Sequence, residues 1–244
     1  MSLRPAQLRW TSAGVTHPGR VRDVNQDAYL DRPDLGLWAV ADGMGGHSDG
    51  GMASRMLVDG LGRMGRPALL GSAVESVRNI LQEVNRRLLD HAAARGDDLI
   101  GSTIAALVAL GDHCAILWVG DSRVYRRRNG ELVQLTSDHT HVQDLVDKGM
   151  LTPEQAEQHP LSNVLVRAVG ADAEMAVDLR VEALRDGDRF LLCSDGLVKE
   201  LRADAIIAIL GGAEPGEVAR DLIDAACDAG GRDNITAVIV DIHR

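Results

Sequence analysis

Apolar residues along this chain fall into short continuous runs and into longer helical patterns, and the two predict different elements. Leu37 to Ala41 is an unbroken apolar run closed by Asp42-Gly43, the signature of a strand buried on both faces. Cys114 to Val119 runs into Gly120-Asp121, and Phe190 to Ser194 runs into Asp195-Gly196. A fourth run, Ile235 to Val240, is preceded by Asp233, and Leu8 to Thr16 predicts an edge strand. Ser102 to Leu110, Cys114 to Val119, Arg123 to Arg127 and Glu131 to Leu135 predict four successive strands. Their tight connections imply an antiparallel meander, because parallel neighbours need long crossovers. Val177 to Val181 adds a further strand.

Helical spacing marks the remainder. Gly51 to Met64 places Ala53, Met56, Leu57 and Leu61 on one face. Ser72-Ala73-Val74-Glu75 reads as a capping box opening a long helix with Val77, Ile80, Leu81, Val84 and Leu88 in register. Shorter helices are predicted at Val142 to Lys148, Ala203 to Leu210 and Gly216 to Ala229. The polar connection 150–163, through Pro153 and His159-Pro160, reads either as a mobile flap or as a plain surface loop. Two antiparallel sheets stacked face to face with helices outside satisfy this order, and a doubly wound nucleotide fold does not. With no linker dividing its 244 residues, the chain reads as one domain over 1–244.

Composition narrows the functions. A 45% hydrophobic fraction supports a real core, and 2% aromatics make that core aliphatic. A formal net charge of −10 argues against nucleic acid or an anionic membrane as partner, since phosphates would be repelled. Cys114, Cys193 and Cys227 are an odd, widely spaced set and read as buried small hydrophobes in a reducing, cytoplasmic setting. No signal peptide opens the chain and no apolar stretch is long enough to span a membrane. The chain closes four residues after Val240, which reads as a free-standing, monomeric catalytic domain.

The candidate chemistry lies in carboxylates at strand ends: Asp42, Asp121 and Asp195 after apolar runs, Asp233 before one, and Asp27 after Arg22-Asp23-Val24-Asn25-Gln26. Asp-Gly is also an ordinary turn, but its recurrence favours convergence. Clustered carboxylates without a matching run of Lys or Arg need a cation, and all-oxygen ligands select hard divalent ions such as Mg2+ or Mn2+.

Taken together and in order, Arg22-Asp23-Val24-Asn25-Gln26-Asp27, Asp42-Gly43-Met44-Gly45-Gly46-His47, Gly101-Ser102-Thr103, Gly120-Asp121-Ser122-Arg123, Ser194-Asp195-Gly196 and Asp233-Asn234-Ile235-Thr236 resemble the bacterial branch of the protein phosphatase 2C (PPM) family. The resemblance covers essentially the whole chain. It implies an α+β fold, a four-layer αββα sandwich of two mostly antiparallel sheets with helices on both outer faces. It further implies two Mn2+ or Mg2+ ions and hydrolysis of phosphoserine and phosphothreonine on proteins. By position, Asp42 resembles the carboxylate bridging both ions, Asp195 and Asp233 ligands of the first, and Asp27 and the carbonyl of Gly43 ligands of the second. Asp121, with Asp195, matches the position that holds a weaker third ion in bacterial members, and Arg22 matches the phosphate-binding arginine. Two departures stand out. Met44 replaces the histidine of animal members, leaving His47 or a water as the acid, and Gln26 replaces a metal-associated glutamate.

Hydrolysis of a phosphate monoester needs a nucleophile and charge neutralisation; a water on two ions supplies the first, the ions and Arg22 the second. Other phosphatase chemistries lack their residues. The positions six past the cysteines are Gly120, Lys199 and Asp233, so Cys-x5-Arg is absent, as is a P-loop. The opponent is expected to be a separately encoded Ser/Thr kinase, and the stretch Thr16 to Arg20 is similar to phosphatases paired with kinases in bacterial secretion regulation. The alternatives are a catalytically weak phosphoprotein-binding regulator of the same fold, which predicts missing carboxylates, and a phosphatase of small molecules.

Overall fold

The computed structural model describes residues 8–45, 49–96 and 99–244. The first half of the chain runs β1 (Arg9–His17), β2 (Asp27–Arg32), β3 (Leu37–Met44), α1 (Asp49–Gly62), α2 (Leu70–Arg95), β4 (Gly101–Ser102), β5 (Ile104–Leu110), β6 (His113–Val119), β7 (Arg123–Arg128) and β8 (Glu131–Gln134). The second half runs α3 (His141–Asp147), α4 (Pro153–Glu157), β9 (Asp178–Ala183), β10 (Arg189–Cys193), α5 (Asp195–Glu200), α6 (Ala203–Ile209), α7 (Pro215–Ala229) and β11 (Ile235–His243).

Two antiparallel sheets form. One has the order β1-β11-β10-β7-β8 and the other β2-β3-β5-β6-β9, with β4 attached to β3. The continuous apolar runs are explained by three buried layers. In β3, Leu37, Ala39 and Ala41 pack toward α1 and α2, while Trp38 and Val40 join the layer between the sheets. In β10 and β11, Phe190, Leu192, Val238 and Val240 fill that middle layer, and Leu191, Cys193, Ala237 and Ile239 pack under α5 to α7. Strand alternation therefore puts apolar side chains on both faces, each large one stabilising the fold by about 1.5–3 kcal/mol. The four-layer αββα expectation holds. The three cysteines are free and buried, as expected. No helix among the described residues is long and apolar enough to cross a membrane.

Four local expectations change. The four-strand meander is two hairpins in different sheets: β5 pairs with β6 and β7 with β8, but β6 continues to β9 and β7 to β10. The connection Gly120-Asp121-Ser122 thus crosses between the sheets instead of folding back within one. Gly120 makes the crossing at φ +105, where a side chain would be strained and would meet Thr103. The long helix begins at Leu70, so Ser72 is not the N-cap; its hydroxyl serves Leu69 from the third helical position. Asp195-Gly196, read as a strand end, is also the first turn of α5. Segment 150–163 contains α4, opened by a reciprocal Thr152–Gln155 capping box.

Candidate metal centre

Sheet geometry assembles the acidic residues. Asp27 and Asp42 are direct partners across the β2–β3 pair. Asp195 opens α5 at the end of β10, and Asp233 precedes β11, which pairs with β10. Asp121 lies on the crossing after β6, beside Ser122, whose hydroxyl meets that of Thr103 at 2.7 Å. Thr103 in turn accepts from the Asp42 amide at 3.0 Å and donates its own amide to the Asp42 carbonyl at 2.8 Å. Gly43 is clamped: a Cβ there would lie 2.0 Å from the Gly50 carbonyl oxygen, so only glycine lets β3 and α1 approach so closely.

Hydroxyls and amides hold the cluster in place. Asp27 Oδ2 accepts from Thr236 Oγ1 at 2.6 Å and Ser194 Oγ at 2.7 Å. Because the Thr236 proton goes to Asp27, Thr16 must donate to Thr236, at 2.7 Å, and Asn25 Nδ2 donates to Thr16 at 2.9 Å. Asn234 spans the mouth, accepting from the Gln26 amide and donating to the carbonyls of Pro18 and Val24.

Burial and the neighbouring charges raise the pKa of three of these carboxyls, Asp27, Asp42 and Asp121. Burial pushes Asp27 up to about 7 against its two hydroxyl donors, with Asp195 and Asp233 adding to the rise. Asp42 rises well above the usual carboxylate range, through burial and then the charges of Asp27, Asp195, Asp121 and Asp233. Asp121 rises to about 8 through burial and the charge of Asp195, opposed by Lys199 and Arg123. The five carboxylates expected from the sequence therefore share one field.

The expected lack of matching cations is corrected. Arg22 forms a fork on Asp233, Nε to Oδ1 at 2.9 Å and Nη2 to Oδ2 at 3.0 Å, and Lys199 contacts Asp195 Oδ2. In this arrangement no group of three His, Cys, Asp or Glu side chains among the described residues is set to hold an ion as it stands. The donor set nonetheless fits a hard cation. Asp27 Oδ1 and Asp195 Oδ1 are buried with no hydrogen-bond partner, the costly condition that a bound ion would relieve. His47 lies outside the described residues. Sequence reasoning missed Ser194, Thr236 and Lys199. The signals were a threonine inside an apolar strand and an Asp-to-Lys i,i+4 spacing.

The family described as Protein phosphatase 2C matches residues 16–215. PppA, "a key regulatory component of T6SS in Pseudomonas aeruginosa", superposes with a TM-score of 0.91 at 40% identity, covering 96% of this chain and 98% of that one. The Mycobacterium tuberculosis serine/threonine protein phosphatase PstP is 37% identical over 226 residues, 92% of this chain but 43% of that protein, so the chain spans less than half of PstP. The catalytic domain of PstP in complex with 2 manganese ions superposes with a TM-score of 0.86 at 33% identity, covering 97% of this chain and all of that one.

Proposed function

We propose that this chain, which belongs to the protein phosphatase 2C family, hydrolyses phosphoserine and phosphothreonine on proteins with the help of two Mn2+ or Mg2+ ions. The observation that carries the reading is the pair of orphaned, buried oxygens, Asp27 Oδ1 and Asp195 Oδ1, inside a five-carboxylate cluster. The relative crystallised with 2 manganese ions supports the same metal class. Asp42 would bridge the ions, Asp195 and Asp233 would hold the first, and Asp27 with the Gly43 carbonyl the second. When bound, the ions supply a hydrolytic water of lowered pKa and positive charge at the transferring phosphoryl group.

The chain's own residues do the rest. Thr236 and Ser194 hold one oxygen of Asp27 so that the other stays aimed into the cluster. Arg22 has a half-exposed guanidinium whose fork matches two phosphate oxygens as well as it matches Asp233. It holds both oxygens of Asp233 while no ion does, and is free to turn to the phosphate once Asp233 serves an ion. His47 is a candidate proton donor to the leaving alkoxide.

The same reading makes the chain one catalytic domain, a cytoplasmic monomer opposing a separately encoded Ser/Thr kinase. Its likeness to PppA supports a role in regulating secretion. The test is a panel of phosphoserine, phosphothreonine and phosphotyrosine peptides with manganese. Release from the first two, lost with chelator and in Asp42→Asn, supports the proposal. Binding without turnover would make the chain a phosphoprotein-binding module, and turnover restricted to small phosphates would move the substrate class.

A further inference from the structure

Asp195 gives its two oxygens to different uses. Oδ2 meets the ammonium of Lys199, one turn along α5, and Oδ1 is buried without a hydrogen-bond partner. The acid stands N-terminal to the lysine at i,i+4, the better orientation on a helix. The ammonium is half-buried, and its charge also reaches Asp121 and Asp233. Arg123 is the other cation that bears on Asp121, but its guanidinium is committed to Asp138 by bonds of 2.7 to 3.0 Å. Lys199 is therefore the cation available between Asp121 and Asp195.

In the common two-oxygen bridging mode, a carboxylate that serves two ions gives an oxygen to each. With Oδ2 on Lys199, Asp195 has one oxygen left. A divalent ion entering between Asp121 and Asp195 would have to displace the ammonium or sit against a like charge. Resting on the ion centre proposed above, we infer that Lys199 is a tethered cation standing in place of an ion between Asp121 and Asp195, so that this chain holds two divalent ions and not three. Lys199 then neutralises that edge of the cluster at every metal concentration.

The experiment is equilibrium dialysis of the full chain against Mn2+, with bound manganese counted by atomic emission, for the parent, Lys199→Met and Lys199→Arg. The expected result is two ions per chain in the parent and in Lys199→Arg, and three in Lys199→Met, the third bound at least about tenfold more tightly than any third ion in the parent. Identical uptake by parent and Lys199→Met overturns the inference. Should Lys199→Met fail to fold, the parent alone decides, because saturation at three ions refutes the tethered cation and saturation at two supports it. A parent that takes up no manganese overturns the ion centre itself, and the tethered cation with it.

Discussion

Asp27 makes the pH dependence of stability a direct probe of the site. Its carboxyl rises from 3.8 to about 7 on folding, chiefly through burial. Between those values the folded chain holds a proton that the unfolded chain has released, so stability in chelator falls as pH rises and the loss is complete above the folded value. The slope is about 1.4 kcal/mol per pH unit, or roughly 2 kcal/mol between pH 5.5 and 7. For a chain of this size that lowers the melting temperature by about 4–8 °C. Other groups titrate over the same range, so the informative quantity is the difference between the parent and Asp27→Asn, followed by calorimetry in chelator at half-unit steps. The parent should lose stability with pH more steeply than the variant. Manganese should reverse the parent's trend, because ions displace the protons and bind better as pH rises. Parallel profiles in chelator for the two proteins would refute the claim that Asp27 is a buried, proton-loaded carboxyl.

Three further substitutions test separate parts of the account. Thr236→Val removes a hydroxyl that donates to Asp27 and accepts from Thr16, and should cost about 1–3 kcal/mol in chemical unfolding while weakening manganese uptake. Arg22→Ala should raise KM for phosphopeptides by about tenfold or more, the worth of a lost charge-assisted contact, yet leave manganese uptake intact or tighter because Asp233 is released. Arg189→Met, at the end of β10 opposite Asp195, leaves Asp241 and the carbonyls of Leu210, Gly212 and Ala213 without their donor. It should cost about 3 kcal/mol in denaturant melts without changing the metal dependence of turnover.

What could be read from the sequence depended on the range of the interaction. Strands such as Leu37 to Ala41 and Phe190 to Ser194 were legible because both of their faces are buried; Asp42, Asp121 and Asp195 were legible because they follow such strands, Asp233 because it precedes one, and Asp27 only through the polar cluster before it. The crossing at Gly120-Asp121-Ser122 was not, since a tight turn has the same local chemistry whether it returns within one sheet or passes to the next. That error matters for the site, because the crossing is what brings Asp121 beside Asp195. The start of α5 was hidden for a similar reason: Asp-Gly suits both a turn and a first helical turn, and only packing under α7 and β11 decides. The roles of Ser194 and Thr236 depend on Asp27, far away along the chain, so spacing alone could not supply them.

The central claim is that these distant carboxylates gather to hold two ions. The most direct measurement is the anomalous diffraction signal of manganese in crystals grown with the metal. Two peaks flanking Asp42, with Arg22 turned away from Asp233 and the free oxygens of Asp27 and Asp195 on the ions, is the predicted result. Manganese found elsewhere, or Asp42, Asp195 and Asp233 without it, would contradict the account.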